Sequence, residues 1–434
     1  MKRVLPMLSA IGLRYSAIII QFVLVILISR HTGTATAGLY FIIFGWINST
    51  YFLAGFGLPD GIVREVSHLA STGGEGAIAP LMRKATAAFA VLTLAMAAAG
   101  AIGAAWFGVS PPLAGWIAAW WLCYAANFFC AQCLLALGRP AMGSFFFYPA
   151  LNISLLFTLF PYLLLTRDEP VDRLLAAAVT GAAPMAIAAM LFTAAAVRGH
   201  RAAGGETRAP ALSAVMGLGI RIAIGRVVQT AIYWVPTWIA GFALAPAAAA
   251  VLGLASRLNN AVAAVMAAIR FIVRPQIVAA AARDDWPVIE RSARMIATLA
   301  AGGVLIAFLV YLAIGRFLLT GIFGARYAAA FLPLAILMLG TMAEAIGGVV
   351  DETLKMTGNA TFVLATLIAC FLGEALLCWI GSGHGLLWLA AAQSLALTTL
   401  YGTQIAFART RRGVILLPFV RPAALRSAMH ASRV

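Results

Sequence analysis

Apolar stretches about twenty residues long recur from one end of the chain to the other, separated by short loops. A helix needs about 20 apolar residues to cross a bilayer. Only 10% of the 434 residues are charged, which is too few to cover the surface of a soluble protein of this size. Because lipid tolerates only helices and closed barrels, the pattern predicts an all-α polytopic membrane protein with about twelve transmembrane helices.

Short loops separate the predicted spans. They fall at 8–29, 38–58, 85–107, 113–137, 142–165, 174–197, 212–245, 247–273, 293–319, 328–350, 360–380 and 386–408. The seventh span is too long for one straight crossing, and Pro236 predicts a kink within it.

An arginine-rich cytoplasmic loop at 198–211 lies near the middle of the chain. It divides the spans into an N-terminal six-helix lobe, 1–197, and a C-terminal six-helix lobe, 212–408, followed by a basic tail, 409–434. An Ala-Ile-Gly triplet stands shortly before Arg14 in the first span and directly before Arg226 in the seventh. This weak similarity indicates an internal repeat.

The net charge of +16 comes from basic residues that gather in alternate loops. Twenty of them lie on the side of the N-terminus and five on the other side. The positive-inside rule then predicts that both termini lie in the cytoplasm. No segment remains for a nucleic-acid-binding domain. The five cysteines lie in apolar spans, and Cys130-x-x-Cys133 has no second pair beside it, so neither a metal nor a cofactor is predicted.

Arginines inside the spans are the strongest functional signal, because each costs roughly 2.5–3.5 kcal/mol to insert. Five are present: Arg14, Arg221, Arg226, Arg257 and Arg270. Only Glu344 and Glu374 are counted as acids within spans, so three arginines lack a partner. Arg270 lies near a helix end and can snorkel. Arg226 and Arg257 lie deeper, which favours a water-filled cavity that binds an anionic substrate.

Polar residues share helix faces with these arginines. Gln21 lies two turns from Arg14, and Gln229 and Tyr233 are spaced to follow Arg226 on one face. Hydrogen bonding between helices is the alternative role for the Gln and Asn side chains. The predicted cavity lining is Arg14, Gln21, Arg221, Arg226, Gln229, Tyr233, Arg257 and Asn260.

Glu344 and Glu374 are candidate ion-coupling residues, because an ionised carboxylate inside a membrane is costly. Binding of a proton or sodium ion would neutralise them and bias the lobes toward one state. The alternative is a fixed ion pair with a cavity arginine, such as Arg257.

Short motifs in a fixed order resemble the oligosaccharide flippase and polysaccharide exporter family of the multidrug/oligosaccharidyl-lipid/polysaccharide exporter superfamily. They are Leu27-Ile28-Ser29-Arg30 before Gly38-Leu39-Tyr40, Gly55-Phe56-Gly57 before Arg64-Glu65, Leu137-Gly138-Arg139-Pro140, and Ile322-Phe323-Gly324-Ala325-Arg326-Tyr327. The resemblance covers nearly the whole chain. It implies two six-helix lobes that form a V around a central cavity and work by alternating access. Arg14, Arg221, Arg226 and Arg257 match the family's cationic cavity positions loosely. Many relatives carry an acid in the seventh helix, where this chain reads Tyr233-Trp234-Val235-Pro236.

The resemblance implies a flippase rather than an enzyme. Its substrate would be an undecaprenyl-pyrophosphate-linked oligosaccharide, moved to the periplasmic leaflet for synthesis of O-antigen, capsule or exopolysaccharide. Membrane lipids and a glycan polymerase are the implied partners. One alternative is a multidrug antiporter of the same superfamily, which would favour acidic cavity residues for cationic drugs. Another is a membrane-embedded glycan polymerase or glycosyltransferase, which the short periplasmic loops disfavour.

Overall fold

The computed structural model describes residues 4–147, 149–166, 169–199, 210–281 and 283–419. Every regular element in these ranges is helical. Nine helical stretches of the described chain are long and apolar enough to cross a membrane, and each of the twelve predicted spans coincides with helical structure. The predicted all-α polytopic fold is therefore confirmed.

Contacts divide the described chain into two compact units, the first ending at Ala231 and the second beginning at Ile232. The sequence places its division earlier, at 198–211, and the two-lobe boundary stays a prediction. The helices of the first unit are α1 (Val4–His31), α2 (Thr34–Thr50), α3 (Leu58–Ser71), α4 (Ile78–Trp106), α5 (Pro111–Ala136), α6 (Pro140–Phe147), α7 (Pro149–Leu165), α8 (Val171–Gly199) and α9 (Leu212–Ala231).

Aromatic rings join α2 and α5 at the centre of the first unit. Tyr40 lies 5.5 Å from Trp120, and Phe44 lies 6.1 Å from Tyr124, measured between ring centroids. These large side chains are buried, and such ring pairs add about 0.5–1.5 kcal/mol beyond the burial of their area. These contacts pack α2 against α5 and form part of the buried core of the unit.

The chain breaks sharply between α2 and α3. A 3-10 segment, Tyr51–Gly57, ends with Gly55, Phe56 and Gly57 at φ values of 63°, 52° and 78°. These left-handed conformations are tolerated mainly by glycine. A Cβ on Gly57 would also clash with the backbone of Gly219 in α9. The two glycines therefore allow α9 to approach the break at backbone distance.

The second unit contains α10 (Val235–Ile239), α11 (Pro246–Ala281), α12 (Trp286–Leu318), α13 (Phe331–Gly347), α14 (Val350–Leu354), α15 (Ala360–Ile380) and α16 (Leu386–Arg412). Asn259 of α11 accepts a hydrogen bond of 2.9 Å from the Thr341 hydroxyl of α13. Gly340 lets α13 approach Ser394 of α16, whose hydroxyl donates to the Ile336 carbonyl at 2.6 Å. Polar contacts and small residues thus fix the register of α13 between its neighbours.

The break predicted within the seventh span is confirmed. The α9 helix ends at Ala231, and α10 begins at Val235 with Pro236 in its first turn. Residues 232–234 form a turn between the two helices. Proline suits the first helical turn because that position needs no backbone donor.

The first residues after α16 return to α12. The Phe419 amide donates to the Thr298 hydroxyl at 2.8 Å, and the Arg294 guanidinium lies 4.5 Å from the Phe419 ring. Arg412 similarly lies 5.1 Å from the Trp286 ring. The start of the tail and the start of α12 therefore lie at the same end of this unit. The rest of the tail, 420–434, lies outside the described residues.

Candidate substrate and ion-coupling sites

An ion pair within the first unit holds Arg226, one of the predicted cavity arginines. Its Nη2 lies 3.1 Å from Asp60 Oδ1. The Gln132 side-chain amide donates to the same Asp60 oxygen at 2.8 Å. Asp60 is almost fully buried, with 4% of its side chain exposed, whereas the Arg226 side chain is 38% exposed. The acid of this pair is therefore buried, whereas the side chain of the cation stays partly exposed to a ligand.

The local fold explains how Asp60 reaches Arg226. Asp60 lies in the first turn of α3, directly after the break, where the helix dipole favours an acid. Gly61 and Gly219 permit close contact between α3 and α9, since a Cβ on either would clash with backbone. Arg226 follows Gly219 by two turns and therefore lies on the same face of α9.

Two aromatic rings support the Arg226 guanidinium. Its Cζ lies 5.6 Å from the Phe52 ring centroid and 5.8 Å from that of Phe128. Cation–π contacts of this kind contribute about 0.5–2 kcal/mol, with the larger values at desolvated sites. Asp60 and the rings hold the guanidinium in place while 38% of the Arg226 side chain stays exposed, which suits a preorganised anion-binding group.

Asp60 and Gln132 are functional candidates that the sequence analysis does not identify. The predicted second span ends at Leu58 and leaves Asp60 in a loop, whereas the structure includes Asp60 in a helical stretch, Thr34–Ser71, with membrane-spanning character. The count of two acids within spans is therefore too low. Pro59 beside Asp60 at a helix start was the available signal.

A second polar cluster lies in the second unit. The Tyr233 hydroxyl donates to Glu344 Oε2 at 2.9 Å, and Glu344 is 6% exposed. The Arg257 guanidinium lies 4.7 Å from the Trp234 ring centroid. The turn before α10 therefore connects the predicted coupling acid on α13 with the predicted cavity arginine on α11.

The prediction that Tyr233 shares a helix face with Arg226 is wrong. A shared face requires one continuous helix, but α9 ends at Ala231 and Tyr233 lies in the turn that follows. Tyr233 instead contacts Glu344.

Glu374 is buried within α15, with 1% of its surface exposed. Neither carboxyl oxygen has a hydrogen-bond partner among the described residues. A carboxylate left without donors or a counter-charge in an apolar interior is strongly disfavoured. The fixed ion pair is therefore not found for Glu374 among the described residues, and its role in ion coupling stays a prediction.

The other predicted residues lie apart from these contacts. Arg221 and Gln229 are exposed on α9, while Gln21 on α1 and Asn260 on α11 are half-buried. The side chain of Arg14 is not among those the structure describes, and neither is that of Arg270. No group of three or more metal-binding side chains is found in the described ranges. The cavity role of these residues stays a prediction.

No family model matches the sequence, and no curated protein matches it. Solved structures do match. The chain is similar to the lipid II flippase MurJ in an inward closed conformation, with a TM-score of 0.70 and 12% identity over 99% of this chain and 91% of that chain. It is similar to an inward-facing multidrug resistance MATE transporter of the MOP superfamily, with a TM-score of 0.62 and 14% identity over 97% and 96% of the two chains.

A third similar structure is a complex of the MATE multidrug transporter DinF-BH. The TM-score is 0.63 at 13% identity, over 94% of this chain and 95% of that chain. The chain therefore shares the multi-pass helical fold of these solved structures. Membership of the oligosaccharide flippase family within that fold stays a prediction.

Proposed function

We propose that this protein is a flippase that moves an undecaprenyl-pyrophosphate-linked oligosaccharide from the cytoplasmic to the periplasmic leaflet for cell-surface polysaccharide synthesis. The observation that carries the proposal is the difference in exposure between the cations and acids of the spans. Arg226 is 38% exposed, whereas Asp60, Glu344 and Glu374 are at most 6% exposed. The accessible charge is therefore positive.

Arginine is the side chain best suited to a pyrophosphate headgroup. Its planar guanidinium offers paired donors to phosphate oxygens, and charge-assisted hydrogen bonds offset the loss of headgroup hydration. In the proposed mechanism, Arg226 and Arg257 bind the pyrophosphate, with Arg14 and Arg221 along its path. The two lobes then rock to expose the headgroup to the periplasm.

Export of cationic drugs is the alternative within the same fold, and the similarity to the multidrug transporter DinF-BH is the observation in its favour. A cationic drug needs an accessible acid. Asp60 is already bonded to Arg226 and Gln132, and Glu344 accepts from Tyr233. This arrangement favours the anionic substrate.

The proposed setting is the bacterial inner membrane, with both termini in the cytoplasm and a glycan polymerase as the partner that receives the product.

The test is complementation of a strain that lacks the gene, with surface polysaccharide as the readout. Arg226→Ala and Arg257→Ala should each abolish export while the protein inserts at normal levels. Arg316→Ala replaces an exposed arginine in the last turn of α12, at the predicted periplasmic side; it is the matched control and should export normally. Normal export by the double Ala variant would contradict the proposal. Loss of drug resistance, with polysaccharide unchanged, would favour the alternative.

A further inference from the structure

An apolar groove of about 840 Å³ lies within the first unit, between α4 and α8 with α5 as its floor. Phe89 of α4 stacks on Phe129 of the floor, with ring centroids 4.1 Å apart. Leu94 and Ile187 line the groove and stay 58% and 53% exposed. The groove is therefore open along its length, as a slot for a long apolar chain would be.

Two arginines lie at one end of this groove. Arg83 is in the second turn of α4 and Arg198 is in the last turn of α8, and both line the groove. No acid pairs with either arginine among the described residues. The charge pattern predicts that this end faces the cytoplasm. A ligand with an apolar chain and an anionic head at the cytoplasmic surface matches both features.

The length of the groove corresponds to one leaflet. From Arg83 to Leu94 the α4 helix rises about 16 Å, at about 1.5 Å per residue, which is roughly half of the ~30 Å hydrocarbon core. A chain lying here would stay in the cytoplasmic leaflet with its phosphate at the arginines.

The lining beyond the two arginines suits a hydrocarbon chain without ester groups. Its hydroxyl groups are those of Thr86, Thr93 and Thr193. Thr86 donates to the Met82 carbonyl at 2.8 Å, and Thr93 lies about 15 Å along α4 from Arg83. The other lining side chains are alanine, valine, leucine, isoleucine, methionine, phenylalanine and cysteine, so a polyprenyl chain matches the groove along its length.

We propose that this groove binds the polyprenyl tail of the substrate when it first arrives, with the tail's proximal phosphate held by Arg83 and Arg198 before the headgroup passes to Arg226 and Arg257. The inference rests on the proposed flippase function and adds a site for the lipid anchor to it. The site adjoins the Arg226 pair, because the Phe89 ring lies against Gly55 in the break that precedes Asp60. Tail binding would therefore present the headgroup to the same unit that holds the exposed arginine.

The first experiment measures lipid retention by the full chain in phosphatidylcholine nanodiscs, using native mass spectrometry. The probes are undecaprenyl phosphate, undecaprenol and phosphatidylglycerol. Wild type should retain undecaprenyl phosphate in preference to phosphatidylglycerol. Replacing both arginines, Arg83→Gln with Arg198→Gln, should weaken retention of undecaprenyl phosphate by about tenfold or more, since each removes a charge-assisted hydrogen bond. Lys84→Gln, an exposed neighbour outside the groove, should leave retention unchanged.

The second experiment fills the groove. Ala90→Trp with Ile187→Trp places two bulky rings at exposed lining positions, so folding is preserved and both polyprenyl probes should be lost. Ala95→Trp with Leu191→Trp is the control, because both residues are exposed on the same helices but do not line the groove.

Three results would overturn the groove assignment. They are wild-type retention by the groove-filled variant, equal retention of phosphatidylglycerol by wild type, and normal polysaccharide export by the groove-filled variant. Export measured in the gene-deletion strain keeps the two proposals separate. If the deletion leaves export intact, the flippase proposal fails, and retention of the polyprenyl probes still reports on the groove.

Discussion

The ion pair between Asp60 and Arg226 allows structural and transport roles to be separated by mutation. Arg226→Gln removes the cation from an acid whose side chain is 4% exposed, leaving Gln132 as its remaining donor. Breaking a fully buried pair costs about 3–5 kcal/mol. Because the Arg226 side chain is 38% exposed, water weakens the pair, and we expect a loss of about 2 kcal/mol in the free energy of unfolding.

The double variant, Arg226→Gln with Asp60→Asn, removes the stranded charge as well. An amide at position 60 can still accept from Gln132, so we expect stability within about 1 kcal/mol of wild type. The coupling between the two sites should therefore be about 1–2 kcal/mol. Transport should behave differently, because the double variant still lacks the cation that the substrate needs.

The assay combines thermal unfolding of purified protein with polysaccharide export in the deletion strain. We expect Arg226→Gln to lower the midpoint by a few degrees, the double variant to recover most of that loss, and neither to export. Arg226→Lys, which keeps the charge without the paired donors, should export partly. Recovery of export by the double variant would refute the cation's role in transport, and additive stability losses would refute the ion pair.

Other residues give four further predictions. Arg257→Lys should restore export only partly relative to Arg257→Ala, measured as surface polysaccharide, because lysine lacks the planar fork; full restoration would mean that charge alone suffices. Glu374→Gln should fold normally, because no cation pairs with Glu374 among the described residues, whereas Glu344→Gln keeps an acceptor for the Tyr233 hydroxyl and tests whether the charge itself is needed. Transport by Glu374→Gln should nevertheless lose its dependence on the ion gradient. Retained dependence would exclude coupling through Glu374. A sharp drop in the folded yield of Glu344→Gln would indicate that the charge at position 344 is essential. A reporter fused after Arg412 should be active in the cytoplasm, because basic residues concentrate on that side, and a periplasmic tail would overturn the predicted topology. Gly219→Ala should sharply lower folded yield, since its Cβ would meet backbone in the break before α3, whereas Gly217→Ala on the same helix has open space and should fold.

The sequence by itself determined the membrane class and the helical segments. In lipid each backbone polar group must be satisfied within its own segment, so an apolar run is read directly as a helix. All twelve predicted spans coincide with helical structure for this reason. Pro236 likewise predicts the break beside it, because proline has no backbone N–H to donate and its ring clashes with the preceding turn of a helix.

Tertiary structure alone decided which charges meet. Asp60 forms an ion pair with Arg226, and the Tyr233 hydroxyl donates to Glu344, between segments that lie far apart in the chain. Helical periodicity relates residues on one helix only. It wrongly placed Tyr233 on the face of Arg226, because α9 ends before Tyr233. The partner of a buried charge depends on how closely two backbones approach. Here that approach is set by Gly57, Gly61 and Gly219, whose lack of a side chain has its effect only once α3 and α9 are packed together.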